Sequence, residues 1–185
     1  MTITTEVRAA GATVWLTGLP SAGKTTLAEA LAERLRAGGR AVEILDGDAV
    51  RPILSPELGY TRSDRDANVA RIGWVASRLA RHGVLVLACV VSPYAAARDG
   101  VRAAHEQDGT RFLEVHVATP VGVCAERDVK GLYARQRTGG LRNLTGIDGE
   151  YEAPRRPELR LDTHNRTVEE TVAELIGLLD KENLV

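Results

Sequence analysis

Eight consecutive residues near the start of the chain have the spacing of a nucleotide phosphate-binding loop. Residues 18–25 read G-L-P-S-A-G-K-T and match the pattern G-x-x-x-x-G-K-[ST]. Gly18 and Gly23 permit the backbone conformations that bring successive N–H groups onto phosphate oxygens. Lys24 is suited to reach the β- and γ-phosphates of a nucleoside triphosphate, and the Thr25 hydroxyl is suited to bind Mg²⁺. The predicted nucleotide-binding residues are Gly18, Leu19, Pro20, Ser21, Ala22, Gly23, Lys24, Thr25 and Thr26.

Two carboxylates follow the second apolar run of the chain. Asp46 and Asp48 come directly after residues 41–45, in the sequence L-D-G-D. Because the carboxyl ends of parallel strands line the ligand crevice, we expect both carboxylates near the γ-phosphate. Phosphoryl transfer needs a group that handles the metal and its water, and a base for the acceptor hydroxyl. The alternative is that aspartate here only caps the N-terminus of a following helix.

Cationic side chains recur at positions that suit a second anionic ligand. They are Arg51, Arg65 with Asn68 one helical turn further on, and Lys130 within an arginine-rich stretch. Guanidinium groups match tetrahedral oxyanions with two parallel hydrogen bonds, which favours recognition of phosphate-like groups. Each of these residues alone is also typical of a solvated surface. Ser92 follows a buried apolar run, where its hydroxyl either faces the crevice or caps the next helix.

Short apolar runs alternate with amphipathic segments, in an order that would position these groups. Continuous apolar runs suit strands that are buried on both faces of a parallel sheet, and the segments between them have helical spacing. This alternation predicts an α/β P-loop NTPase fold, with a parallel sheet of about five strands flanked by helices. Gly38-Gly39 and His82-Gly83 are expected to end two of the helices. The apolar runs are residues 12–17, 41–45, 84–91, 112–117 and 159–161.

Composition restricts the class of protein. The chain has 185 residues, of which 44% are hydrophobic, and this is enough for a single domain with a substantial core. Its 24 basic and 25 acidic residues give a net charge of -1, which does not favour binding to nucleic acid or to an anionic membrane. Cys89 and Cys124 lack metal-ligand spacing and are expected to be buried and reduced. With no signal-like start at Met1 and no membrane span, we expect a cytoplasmic protein.

One polar stretch interrupts the alternation of strands and helices. Between residues 130 and 156, glycines and arginines dominate and the apolar periodicity is lost. A polar stretch of this length within a compact domain is usually a functional lid or a disordered segment. We therefore predict a lid over residues 130–154.

Several longer motifs resemble the adenylylsulfate (APS) kinase family. They are L-D-G-D at 45–48, G-Y-T-R-S-D-R-D-A-N at 59–68, V-S-P-Y at 91–94, K-G-L-Y at 130–133, L-T-G-I-D at 144–148 and Y-E-A-P at 151–154. The resemblance extends from about Trp15 to Asp162. It implies sulfate activation, in which ATP and Mg²⁺ are used to phosphorylate the ribose 3′-hydroxyl of adenosine 5′-phosphosulfate (APS). The implied product is 3′-phosphoadenosine 5′-phosphosulfate, and the implied assembly is a homodimer.

The resemblance also implies roles for individual residues. Asp48 would act as the base on the 3′-hydroxyl, and Asp46 would help to hold Mg²⁺ through water, beside Thr25. Ser92 has the position of a serine that has been proposed in this family as a phosphorylated intermediate, although direct in-line transfer needs no covalent step. The candidate catalytic residues are Lys24, Asp48 and Ser92. The candidate substrate-binding residues are Asp48, Arg51, Tyr60, Arg65, Asn68, Val91, Ser92, Lys130, Leu144, Gly146, Ile147 and Asp148.

Departures from the family pattern leave two alternatives open. Aromatic residues usually face both sides of the substrate adenine, and this chain has Tyr60 at the first position but Leu144 at the second. Loss of one aromatic face would forfeit on the order of 1 kcal/mol of binding. Ala49, Ala95 and Ala134 stand where the family usually has Asn, Arg and Lys. The alternatives are a related kinase for the ribose hydroxyl of another nucleotide, and a catalytically weak nucleotide-binding regulatory subunit.

Overall fold

Strands and helices alternate along residues 10–185, the part of the chain that the computed structural model describes. The start of the chain, on which the prediction about a signal segment depends, lies outside the described residues. The first half contains β1 (Ala12–Thr17), α1 (Lys24–Ala37), β2 (Val42–Asp46), α2 (Gly47–Leu54) and α3 (Arg62–Arg81). The second half contains β3 (Leu85–Cys89), α4 (Ala95–Gln107), β4 (Arg111–Val117), α5 (Val121–Arg127), α6 (Leu132–Arg137), β5 (Leu159–Leu161) and α7 (Val168–Lys181).

The five strands form one parallel sheet in the order β2-β3-β1-β4-β5, and this confirms the predicted architecture. β1 lies at the centre, where Val14 pairs with Leu87 on one side and with Leu113 on the other. All residues of β1 and β3 are buried, as the continuous apolar runs indicated. β3 is shorter than the predicted run 84–91, because its pairing with both neighbouring strands ends at Cys89.

The two faces of the sheet pack into two separate hydrophobic clusters. Leu16 belongs to the cluster that includes Leu31 of α1. Trp15, its neighbour in the chain, belongs to the cluster on the other face, together with Ile72 of α3 and Val101 of α4. Successive side chains of a strand point to opposite faces, so adjacent residues of β1 anchor it in both layers. The C-terminal end of β1, which leads into the phosphate-binding loop, is therefore held in place from both sides.

Helix ends follow signals in the local sequence. Gly38 is the C-cap of α1, and His82 is the C-cap of α3 and is followed by Gly83 with a φ of 84°. Both predicted helix ends are confirmed. The positive φ of Gly83 is a conformation that glycine adopts readily at the end of a helix. At its N-terminus, α3 begins with a capping box in which the side chains of Thr61 and Asp64 each accept a hydrogen bond from the other residue's backbone.

The predicted irregular stretch contains one short helix. α6 lies inside the predicted lid, and residues 138–158 form neither a helix nor a strand. Backbone hydrogen bonds still attach this segment to the rest of the fold, because the amide of Glu152 donates to the carbonyl of Pro93 at 2.8 Å. The segment therefore packs on the body of the protein.

The remaining composition-based expectations concern the cysteines and the membrane. Cys89 and Cys124 are both free and buried, which confirms that prediction. Burial raises the pKa of the Cys89 thiol to about 12, so the thiol is protonated at neutral pH. Among the helices in the described part of the chain, none is both long and apolar enough to cross a membrane.

Candidate active site

A cavity of about 870 Å³ opens at the carboxyl ends of the strands. Its position follows the general rule for parallel sheets, and its volume is near the upper end of the range for ligand pockets. The structure brings most of the predicted site residues to its wall. These are Pro20, Ser21, Ala22, Gly23, Lys24, Thr25, Thr26, Asp46, Asp48, Arg51, Tyr60, Arg65, Asn68, Val91, Ser92 and Lys130. The predicted residues outside this lining are Gly18, Leu19, Leu144, Gly146, Ile147 and Asp148.

The phosphate-binding loop encloses the side chain of Lys24. The ammonium group donates to the carbonyl of Gly18 at 2.9 Å and to that of Leu19 at 2.7 Å. Position 18 requires glycine, because a Cβ there would lie 2.4 Å from the carbonyl oxygen of Val117. Gly23 has a φ of 101°, a left-handed conformation that favours glycine. The two glycines thus allow the tight backbone path that keeps a cation at the centre of the loop.

Burial lowers the pKa of Lys24 to about 8. The side chain is enclosed by protein, and a charged ammonium group loses solvation there. Since a bound phosphate would favour the charged ammonium, nucleotide binding and protonation of Lys24 are coupled. At neutral pH the group carries its charge, and it loses that charge as the pH rises above about 8.

Thr25 and Asp46 meet directly beside the loop. The Thr25 hydroxyl donates to one carboxylate oxygen of Asp46 at 2.5 Å. The other oxygen accepts from the amide of Asp48 at 2.9 Å and from that of Ala49 at 3.3 Å, so Asp46 is also the N-cap of α2. Burial alone would raise the pKa of Asp46, but these hydrogen bonds outweigh it and lower the pKa. Asp46 therefore caps a helix and is also an ionised carboxylate beside the loop, while its role with a metal ion stays a prediction.

The donor groups of this corner fit Mg²⁺. Within residues 10–185, no three histidine, cysteine or carboxylate side chains cluster so that they could hold a metal ion on their own. Mg²⁺ takes one or two protein oxygens and completes its coordination with water and phosphate oxygens. The Thr25 hydroxyl and the Asp46 carboxylate supply such oxygens next to the phosphate-binding loop.

Asp48 faces the cavity from the first turn of α2. Its carboxylate forms an ion pair with Lys130, which lies at the start of the predicted lid. The side chain of Asp48 is 75% exposed and that of Lys130 is 52% exposed, so solvent screens this pair. A pair with this much exposure is weak and is readily replaced by other partners. Asp48 is thus an accessible carboxylate at the mouth of the site.

The opposite wall is formed by the loop before α3 and by the first turns of that helix. The guanidinium of Arg51 lies 4.5 Å from the centre of the Tyr60 ring. Arg65 donates to the Tyr60 carbonyl at 3.0 Å, to the Thr145 hydroxyl at 2.8 Å and to the Asn143 carbonyl at 2.9 Å. Arg65 therefore joins the start of α3 to the second half of the predicted lid.

Asn68 carries an unsatisfied polar atom into this wall. The residue is only 5% exposed, and its Oδ1 has no hydrogen-bond partner among the described residues. A buried acceptor without a partner is costly, and native proteins usually provide a water molecule or a ligand for it. The lone acceptor marks Asn68 as a position that suits a donor group of a ligand.

Four predicted substrate contacts lie away from the cavity. Leu144 is 5% exposed and packs in the hydrophobic cluster that includes Leu16. The Asp148 carboxylate accepts from the backbone amides of Asn143 and Leu144 at 3.0 and 2.8 Å, which closes a tight turn. Gly146 lies against the Leu19 side chain, and Ile147 is half exposed. Burial stabilises the apolar Leu144 side chain in the core. Contact between these four residues and an acceptor stays a prediction.

Ser92 is buried, and its hydroxyl is already engaged. The residue is 1% exposed and has a φ of 41°. Its Oγ accepts from the indole N–H of Trp15 at 3.0 Å and lies 3.0 Å from the Thr17 hydroxyl. It does not cap α4, whose N-cap is Tyr94. This geometry offers no support for a covalent role of the hydroxyl, and it indicates that Ser92 shapes the cavity wall.

Arg127 and Thr163 are among the residues of the cavity wall that were missed in the sequence. Arg127, at the end of α5, donates to the Thr163 hydroxyl at 2.8 Å and to the Thr163 carbonyl at 2.9 Å. Thr163 in turn donates to the carbonyl of Ala22 in the phosphate-binding loop at 3.2 Å. Thr163 follows β5, so the rule about strand ends could have identified it. No sequence signal distinguishes Arg127 from other surface arginines.

The phosphate-binding loop, the hydroxyl–carboxylate pair beside it and the sheet order define a P-loop kinase fold. Residues 10–162 match the sequence profile of the adenylylsulphate kinase family. The chain belongs to this family. The adenylyl-sulfate kinase of Rippkaea orientalis is 49% identical over 92% of either chain. That of Synechococcus sp. strain JA-3-3Ab is 52% identical and covers 91% of this chain and 92% of its own.

A solved structure agrees with the sequence comparisons. The APS kinase of Mycobacterium tuberculosis, in complex with AMPPNP and APS, has a TM-score of 0.90 with this chain at 41% identity. The match covers 93% of this chain and 99% of the other. The likeness therefore extends over most of the chain.

Proposed function

We propose that this protein uses ATP to phosphorylate the ribose 3′-hydroxyl of APS, giving 3′-phosphoadenosine 5′-phosphosulfate. The observation that carries the proposal is a single cavity lined by the phosphate-binding loop, an accessible carboxylate and a buried asparagine. Lys24, Asp48 and Asn68 all line this cavity, and we assign Lys24 to its donor end and Asn68 to its acceptor end. Membership of the adenylylsulphate kinase family supports this assignment.

At the donor end, the loop amides and Lys24 bind the phosphates of ATP. Phosphoryl transfer asks the protein mainly for positioning and charge stabilisation, and a buried ammonium group supplies both. Thr25 and the ionised Asp46 are the groups that would hold Mg²⁺, the latter through water. When bound, Mg²⁺ neutralises negative charge on the transferred phosphoryl group.

At the acceptor end, Asp48 takes the proton from the 3′-hydroxyl. A carboxylate can serve as a general base when it lies within hydrogen-bond reach of the hydroxyl, and the exposed Asp48 is accessible to an incoming substrate. Lys130 binds anionic groups of the acceptor in this proposal, so substrate binding draws the lysine away from Asp48. Arg51 and Asn68 bind the acceptor from the opposite wall, beside Tyr60.

Residues 130–154 act as the lid over both substrates. The Tyr133 hydroxyl donates to the carbonyl of Pro20 at 3.0 Å, and Gly146 packs against Leu19, so the segment rests on the phosphate-binding loop. A lid that excludes water protects the γ-phosphate from hydrolysis while the acceptor is in place.

A coupled assay of ADP release tests the proposed function. Purified protein with ATP, Mg²⁺ and APS at about micromolar concentration should release ADP, and mass spectrometry should identify the 3′-phosphorylated product. Leu144 favours a second candidate, a kinase for another ribonucleotide, because a buried aliphatic side chain at this position offers the acceptor base no aromatic face. Turnover with another nucleotide but not with APS would favour that candidate. Binding of ATP without transfer to any acceptor would indicate a regulatory subunit.

We also propose a homodimer that acts in the cytoplasm. Two free, buried thiols are typical of a reducing compartment. Light scattering coupled to size-exclusion chromatography should give twice the mass of the 19.9 kDa chain. A mass of one chain across micromolar concentrations would contradict the dimer.

A further inference from the structure

Arg98 is a buried arginine outside the cavity that connects three parts of the fold. It lies in the first turns of α4 and is 2% exposed. Its Nε donates to the Glu114 carboxylate of β4 at 2.7 Å. Its two terminal nitrogens donate to the carbonyl of Ser92 at 2.6 Å and to the carbonyl of Glu152 at 2.6 Å. One planar guanidinium thus joins the sheet, the loop after β3 and the end of the lid.

The ion pair with Glu114 fixes the guanidinium in place. The side chains of Arg98 and Glu114 are 2% and 10% exposed, so water contributes little to their solvation. A buried charge of this kind is tolerated only when it is paired and when its remaining donors are satisfied. The carbonyls of Ser92 and Glu152 each accept a hydrogen bond from one of the two terminal nitrogens. Their positions are therefore set by a group that cannot shift without losing a buried hydrogen bond.

The first of these carbonyls belongs to the cavity wall. Val91, Ser92 and Pro93 line the cavity, and Ser92 has a φ of 41°, which is unfavourable for a residue with a Cβ. A strained backbone of this kind persists only when surrounding groups hold it from several sides. Trp15 holds the Ser92 side chain, and Arg98 holds its carbonyl.

The second carbonyl belongs to the lid stem, residues 150–153. The Glu152 amide donates to the Pro93 carbonyl at 2.8 Å, and the Glu152 carboxylate accepts from the amide of Ala95 at 2.7 Å. Arg62 pairs with the same carboxylate from α3. The lid stem therefore lies directly on the loop that forms the cavity wall, and Arg98 donates a hydrogen bond to each of them.

We propose that Arg98 is a positioning residue, which sets the acceptor wall at Ser92 and the lid stem relative to each other. This inference rests on the proposed function, because the wall and the lid matter through the binding of APS. Arg98 itself is not part of the cavity lining. Its contacts lie on the acceptor side, so its loss should weaken the use of APS far more than the use of ATP.

Arg98→Lys is the primary test. Lysine keeps a positive charge opposite Glu114, but an ammonium group cannot reproduce a planar fork directed at three acceptors. We expect the KM for APS to rise about tenfold, with the KM for ATP within about twofold of the wild-type value. Hydrogen exchange of the amides of the lid stem should become faster, since the variant removes the tether from Arg98 and leaves only the bond between the Ala95 amide and the Glu152 carboxylate on the α4 side.

Arg102→Lys is the matched control. Arg102 lies one turn further along α4, pairs with Glu158 and lies 3.8 Å from the second carboxylate oxygen of Glu114, and a lysine keeps the positive charge beside both carboxylates. Within the described part of the chain, Arg102 donates hydrogen bonds to Phe112 and Glu158 and to neither Ser92 nor Glu152. This variant should leave the KM for APS and the exchange of the lid stem unchanged. If Arg98→Lys is poorly folded, the double variant Arg98→Met with Glu114→Met removes the buried charges together and should show the same selective rise in the KM for APS.

Two results would overturn the positioning role. One is a KM for APS in the folded Arg98 variant that stays within about twofold of the wild-type value. The other is an equal rise in both KM values, shared by Arg102→Lys, as a purely structural defect would produce. Wild-type protein that turns over no APS would contradict the proposed function instead. Hydrogen exchange requires no turnover. An unchanged exchange rate of the lid stem in Arg98→Lys would therefore contradict the proposed role of Arg98 in holding this segment.

Discussion

The two ends of the cavity are built in different ways. The proposed donor end consists of the phosphate-binding loop, residues 18–26, together with Asp46, and its cation is held by carbonyls of the same loop. Lys24 bonds to carbonyls five and six residues before it. The acceptor end, at Tyr60, Arg65 and residues 91–93, depends on distant partners: Arg65 reaches Thr145, 80 residues away in the chain.

Exposure also distinguishes the cation of the donor end from the aromatic ring of the acceptor end. Lys24 is 8% exposed, whereas Tyr60 is 68% exposed. A buried group held by its own loop is in position before the ligand arrives. An exposed ring and the exposed carboxylate of Asp48 would acquire a fixed position only when the proposed acceptor binds. We therefore expect the Lys24 cation to be preorganised, and Tyr60 and Asp48 to be positioned by the acceptor.

Removal of the lysine should have the largest effect. In Lys24→Ala, the γ-phosphate loses its compensating charge, and kcat/KM should fall by about 10³-fold or more. Steady-state kinetics measures this, and circular dichroism serves as the control for folding. Turnover near the wild-type level in a folded variant would mean that the donor end has been assigned to the wrong residues.

The proposed base should give a large effect that is confined to catalysis. In Asp48→Asn, kcat should fall by about 10²- to 10³-fold, because the amide cannot accept the proton from the hydroxyl. The Kd for ATP should stay within about twofold, as measured by titration calorimetry. Asp46→Asn is the contrasting variant and should weaken ATP·Mg²⁺ binding too, since Asp46 holds the Thr25 hydroxyl. An unchanged kcat in Asp48→Asn would exclude it as the base.

A change in pH should affect the donor end in a defined direction. Burial lowers the pKa of Lys24 to about 8, and a bound phosphate stabilises the charged ammonium. Above this pH the free protein has lost the proton, so binding must take one up, and the Kd for ATP should rise towards about tenfold per pH unit. Calorimetry in buffers of different ionisation enthalpy should detect this proton uptake. The same pH dependence in Lys24→Ala would assign it to another group.

The aromatic wall should give the smallest effect. Tyr60→Leu removes a stacking surface and the ring beside Arg51, and the KM for APS should rise about fivefold, in line with an interaction of about 1 kcal/mol. The KM for ATP should not change. Trp74→Leu is the control, because Trp74 is an exposed aromatic residue outside the cavity lining. An equal rise for both substrates would mean that the two ends are not independent.

Much of the fold could be predicted because its signals are local. The five apolar runs, the glycines after the helices and the loop motif each act within a few residues of chain, and all three were confirmed. Asp46 and Asp48 were also located correctly at the cavity, because the end of a parallel strand has a known position. The roles of the individual site residues stay predictions.

The acceptor end could not be predicted in the same way. Nothing near Arg65 in the chain indicates that its partners are Asn143 and Thr145. At the donor end, likewise, nothing near Arg127 indicates Thr163, which contacts the phosphate-binding loop. Such pairs form because distant segments pack against each other and leave donors and acceptors to be satisfied.

The sequence by itself determined the nucleotide-binding loop, the parallel sheet and the family, because those depend on residue types at short, regular spacing. Only the tertiary structure decided which way particular side chains point. Leu144 packs in the core, the Ser92 hydroxyl joins a buried network, and Arg98 spans three segments. Each outcome minimises exposed apolar area or unpaired polar groups over the whole fold, and that balance includes residues that lie far apart in the chain.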